Sequence, residues 1–302
     1  MRILENTNFR FIDSRRKGYI ISGILILLSL GSLAINGLEV GIDFKGGREF
    51  VIDSNEMYDV TAVRSVLSEA LGTEPEVKAY DGDMLLVRVA GAEDVTTVQN
   101  AIISALEASF PETEPRVEGT YAVSPRFADD LKRGAIYSIL GSLLVIFVYI
   151  LLRFEWRFGL GAVAALFHDV TIVLGLFSIL KGVLGFSLQI DQSIIAAFLT
   201  IVGYSLNDTV VVFDRIREYS GIFKSESYSA VVNKSINNTL SRTIVTSGTT
   251  LFVVTVLFIF GGEVLRGFAF ALMVGVVIGT YSSIFVASPL VVELRKRAAS
   301  TR

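Results

Sequence analysis

The chain has 302 residues, of which 52% are hydrophobic and only 19% are charged, and its mean hydropathy is +0.58. About a quarter of the residues of a soluble domain are charged, so this composition argues against a wholly soluble protein. The absence of Cys excludes disulfides, thiolate metal sites and Cys nucleophiles, and the single His excludes a His-cluster metal site. The net charge of −3 conceals an acidic segment: residues 38–133 carry 9 Lys/Arg and 19 Asp/Glu, whereas the rest carries 18 and 11. This asymmetry predicts two different environments for two parts of the chain.

Six apolar segments are long enough to cross a membrane. A hydrocarbon core about 30 Å thick needs roughly 20 apolar residues in a helix. The spans predicted on this basis are residues 19–37, 134–152, 158–180, 190–212, 243–261 and 267–290. We interpret the first span as a retained anchor rather than a cleaved signal peptide, because its apolar run is longer than that of a signal peptide and five spans follow it. The last two spans are separated by a short segment with two glycines, which predicts a tight hairpin.

The acidic segment between the first two spans shows the pattern of a small α/β domain. Strand-like segments are Gly47–Asp53, Glu76–Tyr80, Met84–Val89 and Pro115–Val123, and helical spacing of apolar residues marks Val60–Leu71 and Val95–Phe110. The resulting order βαββαβ is that of a ferredoxin-like split sheet, and about 95 residues suffice for one small domain. We therefore predict an α-helical integral membrane protein with six transmembrane helices and a small α+β ferredoxin-like extracytoplasmic domain.

The distribution of Lys and Arg predicts the orientation in the membrane. An inside N-terminus places 16 Lys/Arg, Arg2 and Arg302 among them, on or near the cytoplasmic side and leaves two in the short outer loops. Lys132 and Arg133 lie against the outer end of the second span and count against this rule. The balance predicts that both termini are cytoplasmic and that the acidic domain lies outside.

This orientation divides the chain into four parts. They are a cytoplasmic N-terminus with the first span (1–37), the extracytoplasmic ferredoxin-like domain (38–133), a bundle of five transmembrane helices with a cytoplasmic loop at 214–242 (134–291), and a cytoplasmic basic tail (292–302). Within the loop, Ser225–Ser235 is predicted to form a short helix, either at the membrane interface or on a plain surface.

Ionisable groups inside a membrane are costly, so each one is a candidate for function. His168 and Asp169 lie midway along the third span, where they form either a proton relay or a structural contact. Asp208 lies in the fourth span between Asn207 and Thr209, sixteen residues after Gln192 and therefore about 24 Å from the outer end of the helix. Burial there disfavours a charged carboxylate, which suits a proton carrier, although an interhelical hydrogen-bond anchor is the alternative.

The fifth span carries a polar stripe. Thr239, Thr243, Thr246 and Thr250 follow the spacing i, i+4, i+7 and i+11, which places them on one helix face that cannot face lipid cheaply. Arg242 adjoins this stripe and stays protonated. It serves either as a fixed positive partner for a carboxylate or as a side chain that extends to the inner membrane surface.

Other motifs limit the range of functions. Gly275-x-x-x-Gly279 matches a helix-packing motif and predicts a close approach of two helices. The sequence contains neither a Walker motif nor a dinucleotide fingerprint. We therefore expect no ATP hydrolysis, no enzymatic activity, no cofactor and no metal site.

Five segments carry a family resemblance that covers nearly the whole chain. They are Val40–Gly47, Arg153–Phe158, Phe167–Val170, Gly203–Glu218 and Asn233–Thr243. These segments resemble the SecF side of the SecD/SecF family, within the resistance-nodulation-division superfamily, and the motif at Gly203–Glu218 is very specific. One departure is Ser124-Pro125, where the family usually has Gly-Pro. Because Ser124 can cap the next helix with Pro125 at its first position, we expect no loss of function.

The resemblance implies an accessory subunit of the Sec preprotein translocase in the bacterial cytoplasmic membrane. Together with SecD, such a subunit uses the proton motive force to promote protein export. The implied partners are SecD, the SecYEG translocon, SecA, YajC, unfolded preproteins and membrane lipids, without nucleic acid. The family assigns proton transport to Asp208 and Arg242 and places a partner Asp on SecD. With the polar groups identified above, the candidate proton-transport residues are Asp208, Arg242, Asn207, Thr209, Thr243, Thr246, His168 and Asp169.

Two alternatives remain open at this point. A half-size proton-coupled efflux or lipid exporter of the same superfamily shares the intramembrane carboxylate, but an outer domain of about 95 residues is small for that role. A non-transporting assembly factor of the translocon would tolerate alanine at Asp208 and Arg242 but not substitutions at Gly275 or Gly279.

Overall fold

The computed structural model describes residues 7–91 and 94–300. Arg2 and Arg302, both counted above toward the cytoplasmic side, lie outside the described residues. The helices are α1 (Arg15–Ile35), α2 (Ile42–Lys45), α3 (Val60–Leu71), α4 (Val95–Ser109), α5 (Pro125–Arg153), α6 (Trp156–Ile179), α7 (Gln192–Ile222), α8 (Tyr228–Phe260), α9 (Gly262–Ser282) and α10 (Ser288–Ser300). The strands are β1 (Gly47–Asp53), β2 (Glu76–Tyr80), β3 (Met84–Ala90) and β4 (Arg116–Val123).

Among the described residues, six helices are long and apolar enough to span a membrane, which confirms the six predicted spans. Five of them are α1, α5, α6, α7 and α8. The sixth is the continuous helix Gly262–Ala298, in which a π-helical segment, Ser283–Ala287, joins α9 to α10. The hairpin between α8 and α9 turns at Gly261 and Gly262, and the positive φ of Gly262 (72°) explains why a glycine is needed there.

The polar loop predicted at 214–242 is mostly helix, because α7 continues to Ile222 and α8 begins at Tyr228. Hydropathy marks only the apolar part of a helix, whereas backbone hydrogen bonding continues into the polar region. Arg215 and Glu218 form an i, i+3 ion pair at 2.8 Å that supports this exposed part of α7. Ser227 caps α8 by accepting a hydrogen bond from the amide of Ala230. From Tyr228 onward, the separate helix predicted at Ser225–Ser235 is therefore the first part of α8.

The described strands form one antiparallel sheet in the order β2-β3-β1-β4, which is the order of a ferredoxin-like split sheet and confirms that prediction. The helices α3 and α4 pack on one face of the sheet around a core of buried apolar side chains: Phe50, Ile52, Val63, Leu67, Val77, Leu85, Val87, Ile102 and Leu106. Beyond the last strand, Ser124 caps α5 with Pro125 at its first position, as predicted from the departure at this point.

Glycines allow the transmembrane helices to approach each other closely. A Cβ at Gly275 would collide with the side chain of Ile201, and one at Gly279 would lie 3.0 Å from the Cβ of Ser205. Both contacts join α9 to α7, which confirms the close approach predicted from the Gly275-x-x-x-Gly279 spacing. In the same way, a Cβ at Gly175 on α6 would collide with Ser29 on α1.

Candidate functional site

The inner face of α7 buries the carboxylate that the sequence singled out. Asp208 is 3% exposed and Thr209 is 1% exposed, whereas Asn207 lies on the exposed outer face of the same helix. Ser205, Asp208, Thr209 and Val212 are buried at the spacing i, i+3, i+4 and i+7, so Asp208 lies on the packed stripe of α7. The side chain of Thr209 donates to the carbonyl of Ser205 at 3.0 Å and is satisfied within its own helix.

A short chain of hydroxyl groups leads away from Asp208. Ser247 Oγ on α8 donates to Asp208 Oδ2 at 3.2 Å and lies 2.7 Å from Thr280 Oγ1 on α9. Thr280 in turn donates to the carbonyl of Val276 at 2.8 Å. The hydroxyl groups of Ser247 and Thr280 carry two hydrogens between them but take part in these three contacts, so not every contact can hold a hydrogen at the same time. The hydrogen bonds can therefore be rearranged by rotating hydroxyl groups, without moving the helices.

Asp169 on α6 has a different environment. Its Oδ1 lies 2.8 Å from His168 Nδ1, and its Oδ2 accepts hydrogen bonds from Ser205 at 2.5 Å and Ser282 at 2.8 Å. His168 Nε2 lies 3.1 Å from Ser22 Oγ on α1. Both His168 and Asp169 are buried, because neighbouring helices surround α6 on several sides. This buried network ties α1, α6, α7 and α9 together.

The tyrosine Tyr281 completes this network. Its ring stacks on His168, with ring centroids 5.9 Å apart, and its hydroxyl donates to the carbonyl of Gly18 at 2.8 Å. Ser22, Tyr281 and Ser282 are site residues that the sequence does not predict. Their signal in the sequence is weak, because an isolated serine or tyrosine in an apolar helix can lie at a site or at an ordinary packing position.

Arg242 lies on an exposed face of α8 in this chain, beside Asn207 of α7. Both residues line a cavity of about 430 Å³ that also contains Asp214 and Asn238. Within residues 7–91 and 94–300, no ion pair joins Arg242 to Asp208. The structure therefore brings Arg242 and Asn207 together but directs the Asp208 carboxylate inward to Ser247.

The predicted threonine stripe of α8 is divided between buried and partly buried positions. Thr239 and Thr243 are buried, whereas Thr246 and Thr250 are partly buried. The side chain of Thr239 donates to carbonyl oxygens of its own helix, at 3.1 Å from Ser235 and Ile236. Thr243 and Thr246 both precede Ser247 on α8, and neither forms a hydrogen bond with Asp208 in the part of the chain that is described.

Comparisons with known proteins agree over the whole length of the chain. The family model for the protein export membrane protein SecD/SecF, C-terminal, matches residues 103–297. The protein translocase subunit SecF of Rhodothermus marinus is 68% identical over 302 residues, which cover 100% of this chain and 98% of the relative. The SecF subunit of Desulfurispirillum indicum is 44% identical over 297 residues, with coverages of 95% and 92%.

Solved structures give the same result for the fold. The chain is similar to SecDF from Thermus thermophilus, a translocon-associated membrane protein, with a TM-score of 0.80 and 37% identity. A structure of SecDF in a super-membrane-facing form has a TM-score of 0.76 and 36% identity. The matches cover 96% and 99% of this chain but only 39% and 40% of the SecDF chains. Together with the six spans, the split sheet and the buried carboxylates, these similarities establish that the chain belongs to the SecD/SecF family of protein-export membrane proteins.

Proposed function

We propose that the chain works with a SecD partner as the proton-responsive half of a device that promotes preprotein export. In this proposal it lies in the bacterial cytoplasmic membrane with both termini in the cytoplasm and the ferredoxin-like domain outside. The proposed assembly includes SecYEG, with SecA supplying ATP-derived energy on the cytoplasmic side, and YajC and membrane lipids as neighbours. The chain itself would move protons and polypeptide without making or breaking covalent bonds of the substrate.

The observation that carries the proposal is the sparse hydrogen bonding of the buried Asp208 carboxylate. Within the described residues, Ser247 is the one side chain that donates to it, at 3.2 Å. An ionised carboxylate inside a membrane needs several strong donors or a cation, and otherwise costs several kcal/mol. Among the described residues Asp208 has one donor and no ion pair, and the charge of Arg242 acts on it only from beyond ion-pair distance. Gain of a proton therefore relieves much of this cost. The rearrangeable hydroxyls of Ser247 and Thr280 support the same role, because Ser247 can either donate to the carboxylate or accept from the carboxyl.

The exposed polar face of α7 and α8 supports the need for a partner. Asn207 and Arg242 lie on this face at the edge of the membrane-spanning region, where contact with lipid is costly. A second set of helices packed there would cover them, and an acidic residue from that partner would pair with Arg242. Because Arg242 keeps its charge, it would favour the deprotonated form of such a carboxylate. We therefore place the proton path at the boundary between this chain and SecD.

The available energy is sufficient for a domain movement. One elementary charge that crosses the membrane gains about 2.3 kcal/mol per 100 mV. This energy biases an equilibrium between two arrangements whose free energies differ by a few kcal/mol. Alternate protonation of Asp208 would thus alternate the packing of α7 against α8 and α9.

Proton flux and export in one reconstituted system test the proposal. The chain, SecD, SecYEG and SecA are placed in proteoliposomes, and both dissipation of a pH gradient and preprotein export are measured. We expect Asp208→Asn to reduce both to the level of liposomes without the chain. Asp129→Asn, which removes an exposed carboxylate on α5, is the matched control and should retain both. Unchanged flux and export with Asp208→Asn would overturn the proposal and favour the assembly factor.

A further inference from the structure

A buried set of charged side chains joins the ferredoxin-like domain to the outer end of α7. We call it the outer charge cluster, and its members are Glu49 of β1, Glu76 and Lys78 of β2, Arg88 of β3 and Asp191, which precedes α7. Lys78 Nζ lies 2.7 Å from Glu76 Oε1 and 3.6 Å from Asp191 Oδ2. Arg88 lies 2.6 Å from Glu49, 3.5 Å from Glu76 and 3.9 Å from Asp191.

The cluster is too deeply buried to be an ordinary surface ion pair. The side chains of Glu76, Lys78 and Asp191 are 1%, 7% and 10% exposed. Burial alone lowers the pKa of the Arg88 guanidinium, but the Glu76 and Glu49 carboxylates outweigh burial and raise that pKa above its usual value. Removal of one member leaves an uncompensated buried charge, which is strongly destabilising. Loss of one member should therefore weaken this contact between the domain and the bundle.

Asp191 belongs to both sides of this contact. Its Oδ1 caps α7, accepting from the amide of Ile194 at 2.9 Å and the hydroxyl of Ser193 at 2.6 Å. Its Oδ2 faces Lys78 and Arg88 of the sheet. One carboxylate thus fixes the first turn of a transmembrane helix and holds two strands of the outer domain.

The same helix carries Asp208. Asp191 and Asp208 are separated by seventeen residues of uninterrupted helix, or about 26 Å along its axis. A helix of this kind moves as a rigid element, so a shift or tilt of the helix at Asp208 also displaces Asp191. A cavity of about 620 Å³ lined by Lys78, Arg88 and Asp191 lies between the sheet and the bundle and leaves room for the domain to rock.

We propose that Asp191, Lys78 and Arg88 are positioning residues that transmit movement of α7 to the ferredoxin-like domain. This inference rests on the proposed function, in which Asp208 changes its protonation during export. It adds the route by which an event inside the membrane reaches the outer domain. Other contacts also join the domain to the bundle. The amide of Ala79 donates to Glu263 at the start of α9, Ser187 donates to Glu76 at 2.9 Å, and the amide of Gln192 donates to Asp43 at 3.0 Å. Asp191 differs from these contacts because its carboxylate both caps α7 and faces two cations of the sheet.

The variant Asp191→Asn separates the two roles of this residue. Asn is as good an N-cap as Asp, so the cap of α7 is retained while the charge facing Lys78 and Arg88 is lost. We measure amide hydrogen exchange of the full chain with SecD in lipid nanodiscs. Residues 76–90 should exchange at least about tenfold faster in Asp191→Asn, because a buried charged contact is broken. Arg116→Gln, which removes an exposed cation from the same domain, is the control and should leave this exchange unchanged.

The decisive measurement is the effect of Asp208→Asn on the outer domain. In the otherwise unchanged chain, this substitution should alter exchange of residues 76–90 by at least about threefold, because it fixes one state of α7. In the Asp191→Asn background the same substitution should have no effect there. An equal effect in both backgrounds, or none in either, overturns the inference. Proton flux of the same variants, measured in proteoliposomes, reports separately on the proposed function, which fails if Asp208→Asn leaves the flux unchanged.

Discussion

Ser205 donates a 2.5 Å hydrogen bond to Asp169, and Asp208 lies one turn further along the same helix as this serine. Two buried carboxylates therefore lie at one short stretch of α7: Asp169 reaches it from α6, and Asp208 belongs to α7 itself. Asp169 is held by His168, Ser205 and Ser282, whereas Asp208 is held by Ser247 alone within the described residues. We infer that Asp169 holds the bundle together and that Asp208 changes its protonation.

This difference predicts opposite responses to the same substitution. Asp169→Asn places an amide among two donating hydroxyls and the His168 ring, where the buried groups were matched to a carboxylate, so it should destabilise the chain by about 3 kcal/mol or more. Asp208→Asn disturbs one hydrogen bond and should change stability by about 1 kcal/mol or less. Thermal unfolding of both variants in the same detergent measures the difference. Equal unfolding temperatures would contradict the distinction between the two carboxylates.

Ser247 is predicted to matter for transport more than for stability. Ser247→Ala removes the donor to Asp208 and the link to Thr280, so proton flux in the reconstituted system should fall several-fold. The stability change should be about 1 kcal/mol, the usual net value of a hydrogen bond. Thr255→Val on the same helix is the control, since its hydroxyl donates to the carbonyl of Leu251 at 2.7 Å and to no other group among the described residues. A flux equal to that of the control would show that Ser247 plays no part in the path.

The close contact of α9 with α7 predicts a stability effect without a change in charge. The methyl group of Gly275→Ala would collide with Ile201 and should lower stability by about 1–3 kcal/mol through overpacking. Gly141→Ala on α5 has no heavy atom within 4 Å of the new methyl group, so it should be neutral or slightly stabilising. Unfolding temperatures of the two purified variants provide the comparison, and a stable Gly275→Ala variant would show that the helices can separate at this point.

Most helices and strands of the fold can be predicted from the sequence, because they depend on patterns within short stretches of the chain. Alternating apolar residues and turn residues such as Asp81-Gly82-Asp83 marked the strands of the domain to within one residue. Hydropathy located every span but not its true ends. The helices α7 and α8 continue beyond their apolar parts, supported by charged pairs and a serine cap that hydropathy does not register.

Only the carboxylates of the candidate site, and not their hydrogen-bond partners, can be predicted from the sequence. An acidic residue within an apolar span is conspicuous, so Asp208 and Asp169 were found at once. Their partners Ser247 and Ser282 come from helices 39 and 113 residues away, and their contacts depend on how each helix is rotated in the bundle. The sequence left two roles open for Arg242, a partner for a carboxylate or a side chain that extends to the inner membrane surface. In the structure Arg242 lies on an exposed face of α8, and its rotation about the helix axis depends on packing that the sequence does not show.

The segment before α1 is predicted to depend on two asparagines of α8. The side chain of Asn237 accepts a hydrogen bond from the Phe9 amide at 2.8 Å and donates one to the Phe9 carbonyl at 2.9 Å. Asn233 donates to the same carbonyl at 2.8 Å. Asn237→Ala should therefore expose the chain around Arg10 and accelerate trypsin cleavage there several-fold. Asn238→Ala, a neighbouring exposed asparagine, is the control. Identical cleavage rates would mean that burial of Ile12 alone holds this segment.

The outward position of Arg242 predicts an effect that depends on the partner. In the chain alone, Arg242→Gln should leave the unfolding temperature nearly unchanged, because no ion pair of this side chain is present among the described residues. In the complex with SecD, the same substitution should abolish proton flux, since the charge that pairs with the partner carboxylate is lost. Arg242→Lys keeps the charge but not the planar group and should retain part of the flux. Arg126→Gln, an exposed cation on α5, is the control. If Arg242→Gln destabilised the isolated chain as much as it reduced the flux, the arginine would act within this chain and not across the boundary with SecD.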